Sequence, residues 1–205
     1  MKKLSFLLLL LFACIIPFSS TFAGNSLILG MSIGSANQKY SDYYTDIAGI
    51  SGASNDDASF GIRLGVPLNR NLIIDAAFYD YGEANARYID TYGDLIGVNL
   101  STSSFNFGIT GIFPINYSPT DIFGRLGFAL WDANVEFTDS SLPGESLTDS
   151  DSGVSLYLGF GVRFAVANNM KLGFEYTFFD LNTNYTHEPG DQAVDNFSFT
   201  MDVGF

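Results

Sequence analysis

Six residues have the type and spacing to do chemistry together: Arg63, Asp75, Arg125, Arg163, Glu175 and Asp202. Each lies among small residues, as in Gly61-Ile-Arg63-Leu-Gly65, Gly161-Val-Arg163 and Gly173-Phe-Glu175. Three cations match three anions, so one shared interior would hold a neutral ion-pair network, or else the lining of a gate or ion path. Buried charge is tolerable only when it is paired and hydrogen-bonded. Other chemistry has little to work with. The single histidine, His187, is flanked by Glu188 and Pro189 and has no nucleophile placed to make a triad, so it reads as a solvated loop residue. Asp149-Ser-Asp-Ser-Gly153 has the look of half a calcium loop, without the third acid or the closing glutamate. No catalytic, cofactor-binding or metal residue is assigned, no cofactor is expected, and the protein is read as not an enzyme.

The elements that would carry these residues are strands. Alternate side chains of an extended strand point to opposite faces. Asn196 to Phe205 shows this pattern throughout, with Phe197, Phe199, Met201, Val203 and Phe205 on one face and Ser198, Thr200 and Asp202 on the other. Similar alternation runs through Ser26–Ser35, Ala58–Pro67, Leu72–Tyr79, Val98–Phe113, Ile122–Leu130, Val154–Phe164 and Leu172–Phe178. That makes eight strands. The connections alternate in length: 36–57, 82–96, 136–152 and 182–193 are long and polar, whereas 68–70, 114–120 and 167–170 are short. An antiparallel up-and-down barrel that crosses a membrane sorts its loops in this way, with both termini on the side of the short turns. A soluble barrel with an apolar interior would alternate equally well, but the bulky apolar face on every strand and the terminal Phe205 weigh against it. Phe60-Gly-Ile-Arg63 and Phe160-Gly-Val-Arg163 stand 100 positions apart, each with an acid twelve residues on, Asp75 and Glu175. Each arginine is expected to face its acid across a short hairpin.

Composition agrees. Residues 1–23 combine Lys2 and Lys3, an apolar run from Leu4 to Phe18 and a small-residue site ending at Ala23, which reads as a cleaved signal peptide preceding a barrel domain over 24–205. The only cysteine, Cys14, would leave with it; Leu11-Phe-Ala-Cys14 only loosely matches a lipidation site. Without Lys2 and Lys3, seven basic residues face 22 acidic ones, and the whole-chain charge of −13 becomes −15. Such acidity disfavours nucleic acid as a partner.

The terminal aromatic strand, Gly61-Ile-Arg-Leu-Gly65 with Asn71-Leu-Ile-Ile-Asp75, and Arg125-Leu-Gly127 together resemble the small eight-stranded outer-membrane barrels related to the OmpA transmembrane domain and its OmpX- and OmpW-like cousins. The resemblance covers the expected mature chain. It implies a bacterial outer-membrane location, a monomer, and recognition of Phe197, Phe199, Met201, Val203 and Phe205 by the outer-membrane assembly machinery. It assigns no single activity, because such barrels include anchors, adhesins and invasion factors. Larger members carry a peptidoglycan-binding domain after the barrel, and none is expected after Phe205. One enzymatic cousin, the lipid A deacylase barrel, carries His-x-Ser, which Pro189 breaks here. The expected role is structural or in surface interaction, such as envelope integrity or adhesion. The alternative is a narrow channel or a lateral-diffusion barrel for small hydrophobic molecules. Expected partners are outer-membrane lipid and lipopolysaccharide, with Asp42, Asp46, Asp139, Glu145, Asp149 and Asp151 sharing divalent cations with its phosphates. Tyr40, Tyr43, Tyr44, Tyr88, Tyr92 and Tyr185 would anchor at the interface or contact a partner.

Overall fold

The computed structural model describes residues 27–39, 50–90, 92–141, 146–185 and 188–205. These form nine strand segments: β1 (Ile28–Gln38), β2 (Ile50–Ser54), β3 (Asp56–Asn69), β4 (Leu72–Ile89), β5 (Leu95–Pro114), β6 (Thr120–Asp139), β7 (Ser146–Ala167), β8 (Met170–Tyr185) and β9 (Glu188–Gly204). β2 and β3 both pair with β4 and act as one barrel strand interrupted at Asn55, so the barrel has eight strands. At the break, the Asp57 carboxylate accepts from the N–H groups of Ala58 and Glu83, while Gly82 takes a positive φ of 69°. Every neighbouring pair is antiparallel and the sheet closes through β1 and β9, where Leu29 faces Val203 and Gln38 faces Val194. Closure removes free edges over the membrane-spanning half.

The bulky apolar face points outward. Ile33, Phe113 and Phe160 are 64%, 65% and 61% exposed, and the outward Phe205 is 65% exposed beside the short turns. The smaller, polar face fills the interior, which is the sidedness of a barrel solvated by lipid.

The long connections differ from their reading as loops. β4 runs on to Ile89, β6 to Asp139, β7 begins at Ser146 and β8 reaches Tyr185. A membrane-spanning β-strand needs about 9–11 residues, whereas β5 and β6 have 20 each and β7 has 22. The sheet therefore continues well past the lipid, and there its sidedness inverts. On β6 the outward row passes from Leu126, Phe128 and Leu130 to Asp132, Asn134 and Glu136, all exposed, while the inward row becomes Trp131, Ala133 and Val135, all buried. Val98, Leu100, Leu181 and Val194 complete this outer apolar core. Polar outward residues and small inward alanines gave these segments the composition of loops.

Candidate functional site

Inward positions of β3, β4, β6, β7, β8 and β9 bring all six ionisable residues into the lumen, each no more than 7% exposed. Arg125 Nη1 lies 2.7 Å from Glu175 Oε1. Arg63 Nη2 donates to Asp202 Oδ1, and its Nη1 is 3.9 Å from Asp75 Oδ2. Arg163 Nη1 is 3.6 Å from Asp202 Oδ2. Neutral groups stitch the charges together. The Thr110 hydroxyl donates to Asp75 and accepts from Arg125 Nε at 3.0 Å, while Tyr79 Oη accepts from Arg125 Nη1 at 3.3 Å. Phe123 lies between two guanidiniums, with its ring centroid 5.3 Å from Arg125 and 5.6 Å from Arg163, a favourable cation–π placement.

The hairpin pairing expected for Arg163 and Glu175 does not form. Their residues sit diagonally, Arg163 opposite Gly173 and Glu175 opposite Gly161, and Arg163 turns instead toward Asp121 and Asp202. Glu175 is taken by Arg125 of β6, which reaches it over Gly159 of the intervening β7. Arg63 and Asp75 have the same diagonal offset but keep their distant contact. Two further charges escaped the sequence reading. Asp121 accepts from Arg163 Nε at 3.3 Å and from Lys171 Nζ at the mouth beside the short turns. Asp121 shares the parity of Arg125, and Lys171 that of Glu175. Their nearness to Pro119 and to the 167–170 turn made them look like turn residues. Four cations thus meet four anions.

Side chains fill this lumen. A cavity of about 10 Å³ remains beside Arg63, Tyr79, Glu175 and Asp202, close to the least volume that admits one water. Arg63 Nη1 and Glu175 Oε1, both at its wall, have no partner in hydrogen-bonding geometry, although Glu175 Oε1 is in ion-pair contact with Arg125. Above the charges lies a neutral polar tier. There the Gln38 amide donates to Tyr81 O and Gly82 O and accepts from Thr102, Tyr81 shares a hydrogen bond with Ser104, and Ser59 donates to Asn196. Apolar side chains share this level: Trp131 stands opposite Ser104, Phe179 opposite Val194, which is also the neighbour of Gln38, and Leu181 lies beyond them.

The wall is not paired to the same height everywhere. β7 and β8 pair from Ala167 and Met170 only up to Tyr157 and Phe179, so residues 146–156 of β7 pair with β6 but with no described residue on the other side. Along this edge the N–H groups of Ser150 and Ser152 donate at 2.8 Å to the carboxylates of Asp149 and Asp151. The segment resembling half a calcium loop is therefore extended strand. Among the described residues no group of three His, Cys, Asp or Glu side chains could hold a metal ion. Asp139 lies at the end of β6, Tyr88 is half-buried near the end of β4, and Tyr92 is 90% exposed at the β4–β5 tip. The signal segment, Cys14, Tyr40, Asp42, Tyr43, Tyr44, Asp46, Glu145 and His187 lie outside the described residues, as does the Tyr185 side chain.

A family profile for the outer membrane protein beta-barrel domain matches residues 5–205. The attachment invasion locus protein Ail of Yersinia pestis has a similar structure, with a TM-score of 0.50 and 17% identity over 88% of this chain and 99% of that one. Neisserial surface protein A is similar with a TM-score of 0.52 and 16% identity, over 87% of this chain and 97% of that one. No curated protein matches the sequence. Taken with a closed eight-stranded barrel that is apolar outside and charged within, the match over nearly the whole chain places the protein in the bacterial outer membrane: it belongs to the outer membrane protein beta-barrel domain family.

Proposed function

We propose that the protein is a monomeric, non-enzymatic and non-conducting barrel that supports envelope integrity and surface contact. The observation that carries this reading is a filled, charge-balanced lumen beneath a long extracellular sheet. The ion-pair network serves as internal scaffolding. Phe197, Phe199, Met201, Val203 and Phe205 form the outward face of the closing strand, the surface that the assembly machinery would read. The acidic exterior contacts lipopolysaccharide phosphates through shared divalent cations. It also sets a limit on partners. One structure of Ail holds the heparin analogue sucrose octasulfate, whereas an exterior as acidic as this one repels polyanions.

Above Tyr157 and Phe179, β7 and β8 do not pair with each other among the described residues, which favours a second reading, a lateral opening for small hydrophobic molecules. Against it, Tyr157 and Phe179 close the foot of the seam, 2% and 1% exposed, and Trp131 packs above them. Two measurements on the same protein separate the readings. Planar-bilayer recording is expected to show no unitary conductance, and proteoliposomes no faster uptake of a fluorescent lipophile than empty vesicles. A chain deletion is expected to sensitise cells to detergent or to lower surface attachment. Steady conductance, or uptake above that of empty vesicles, overturns the structural reading.

A further inference from the structure

Above the lipid-facing rows, outward side chains of four strands enclose a groove of about 160 Å³ lined by Glu83, Asn99, Ser101, Asn134, Glu136 and Thr148, with the chain at Val135. Sheet register, not loop conformation, assembles it. Ser101 faces Glu83 on one side and Asn134 on the other, and Glu136 faces Asn99 and Thr148. Asn134 Nδ2 donates to Asp132 Oδ1 at 3.0 Å, which fixes the amide plane and leaves its oxygen and second N–H for a ligand.

The lining selects by exclusion. Two carboxylates and no cation in the lining repel phosphate and sulfate, and a lining more polar than apolar gives an acyl chain little to bury against. No group of three acids, histidines or cysteines among the described residues could hold a metal. A neutral polyhydroxyl ligand fits, because its hydroxyls can donate to Glu83 and Glu136 while accepting from the two amides and sharing bonds with Ser101 and Thr148. Position narrows the source. Asn134 stands four residues beyond Leu130, the last apolar outward residue of β6, which puts the groove about 10 Å above the hydrocarbon for a strand tilted by about 40°. Sugars of the outer-leaflet glycolipid occupy that layer.

We propose that this groove binds a saccharide unit of the glycolipid surrounding the barrel. The inference rests on the contact with the outer leaflet described above, and deepens it by naming the sugar as the recognised group. The test uses isotope-labelled full chain in nanodiscs of phospholipid alone or with lipopolysaccharide, reading the side-chain amide signals of Asn99 and Asn134. Both signals should shift with lipopolysaccharide, should shift equally in EDTA, and should shift when phospholipid-only nanodiscs receive lipid-free core oligosaccharide at millimolar concentration. In Asn134→Leu the Asn99 shift should fall at least threefold. Ser101→Val gives the same reading should Asn134→Leu lose the folded gel mobility. No shift with lipopolysaccharide, a shift that EDTA removes, a shift without response to the free oligosaccharide, or full response in both variants overturns the proposal. Cation-bridged phosphate contact is abolished by EDTA and the groove's signal is not, so the two ideas fail separately.

Discussion

Gly30 and Asp202 face each other across the β1–β9 closure, and Asp202 Oδ1 lies 2.7 Å from where a Cβ on residue 30 would stand, with Arg63 Nε at 3.0 Å. The glycine thus makes the room in which the Arg63–Asp202 pair closes the barrel. Gly30→Val should displace that pair and cost about 1–3 kcal/mol, as overpacking does in close-packed interiors. The expected readout is a lower urea midpoint for the heat-modifiable gel band, and an unchanged midpoint would contradict this account.

Arg125 and Glu175 are both buried at 2.7 Å. Removing one partner of such a pair leaves an uncompensated charge, at a cost of about 3–5 kcal/mol, whereas an apolar replacement of both can be nearly neutral. Arg125→Met and Glu175→Met should each destabilise the folded band strongly, and the double variant should recover most of the loss. Additive losses in the double-mutant cycle would show that the pair does not act as a unit.

Residues 146–156 of β7 pair with no described residue on the side away from β6; an edge of this kind can template strand addition, and inward charges blunt it. Asp149 and Asp151 occupy two N–H groups of this segment. Asp149→Ala with Asp151→Ala should therefore form concentration-dependent dimers by chemical cross-linking in detergent, whereas the parent chain stays monomeric. A double variant that stays monomeric at every concentration would show the edge is guarded in some other way.

Phe205 ends the outward row of the closing strand, and its N–H donates to Leu27 O at 2.9 Å. Deleting it should lower the amount of heat-modifiable barrel in the outer membrane several-fold while leaving refolding in detergent nearly unchanged. Equal loss in detergent would make the residue a stability element and not a recognition signal.

Bilayer contact through cations is checked by metal removal. In lipopolysaccharide bilayers millimolar magnesium should raise the urea midpoint above its value in EDTA, and the difference should vanish in phospholipid alone.

Much of this was legible from alternation. The rows Leu27–Ile33 and Phe197–Phe205 carry strong apolar contrast, so their strands and the inward Asp202 could be read directly. The outer half could not. There Ala84, Ala86 and Ala133 supply the inward face and Asn85, Asn99 and Asn134 the outward one, a contrast too weak and of the wrong hand to mark a strand. Arg163 takes Asp121, its direct cross-strand neighbour on β6, and Arg125 reaches Glu175 over Gly159 of β7; both choices depend on register and side-chain reach, and strand-by-strand parity carries no such information.

The inversion along β6 also decides how deep the barrel can sit. Leu130 marks the last row compatible with hydrocarbon, and Asp132, two residues on, faces outward. A bilayer thickened by a few ångströms would meet that carboxylate at once, with no spare apolar length to accommodate it. The molecule is thus a fixed-depth float: membranes of different thickness must adjust to it, by thinning around the wall, because it cannot rise or sink to suit them.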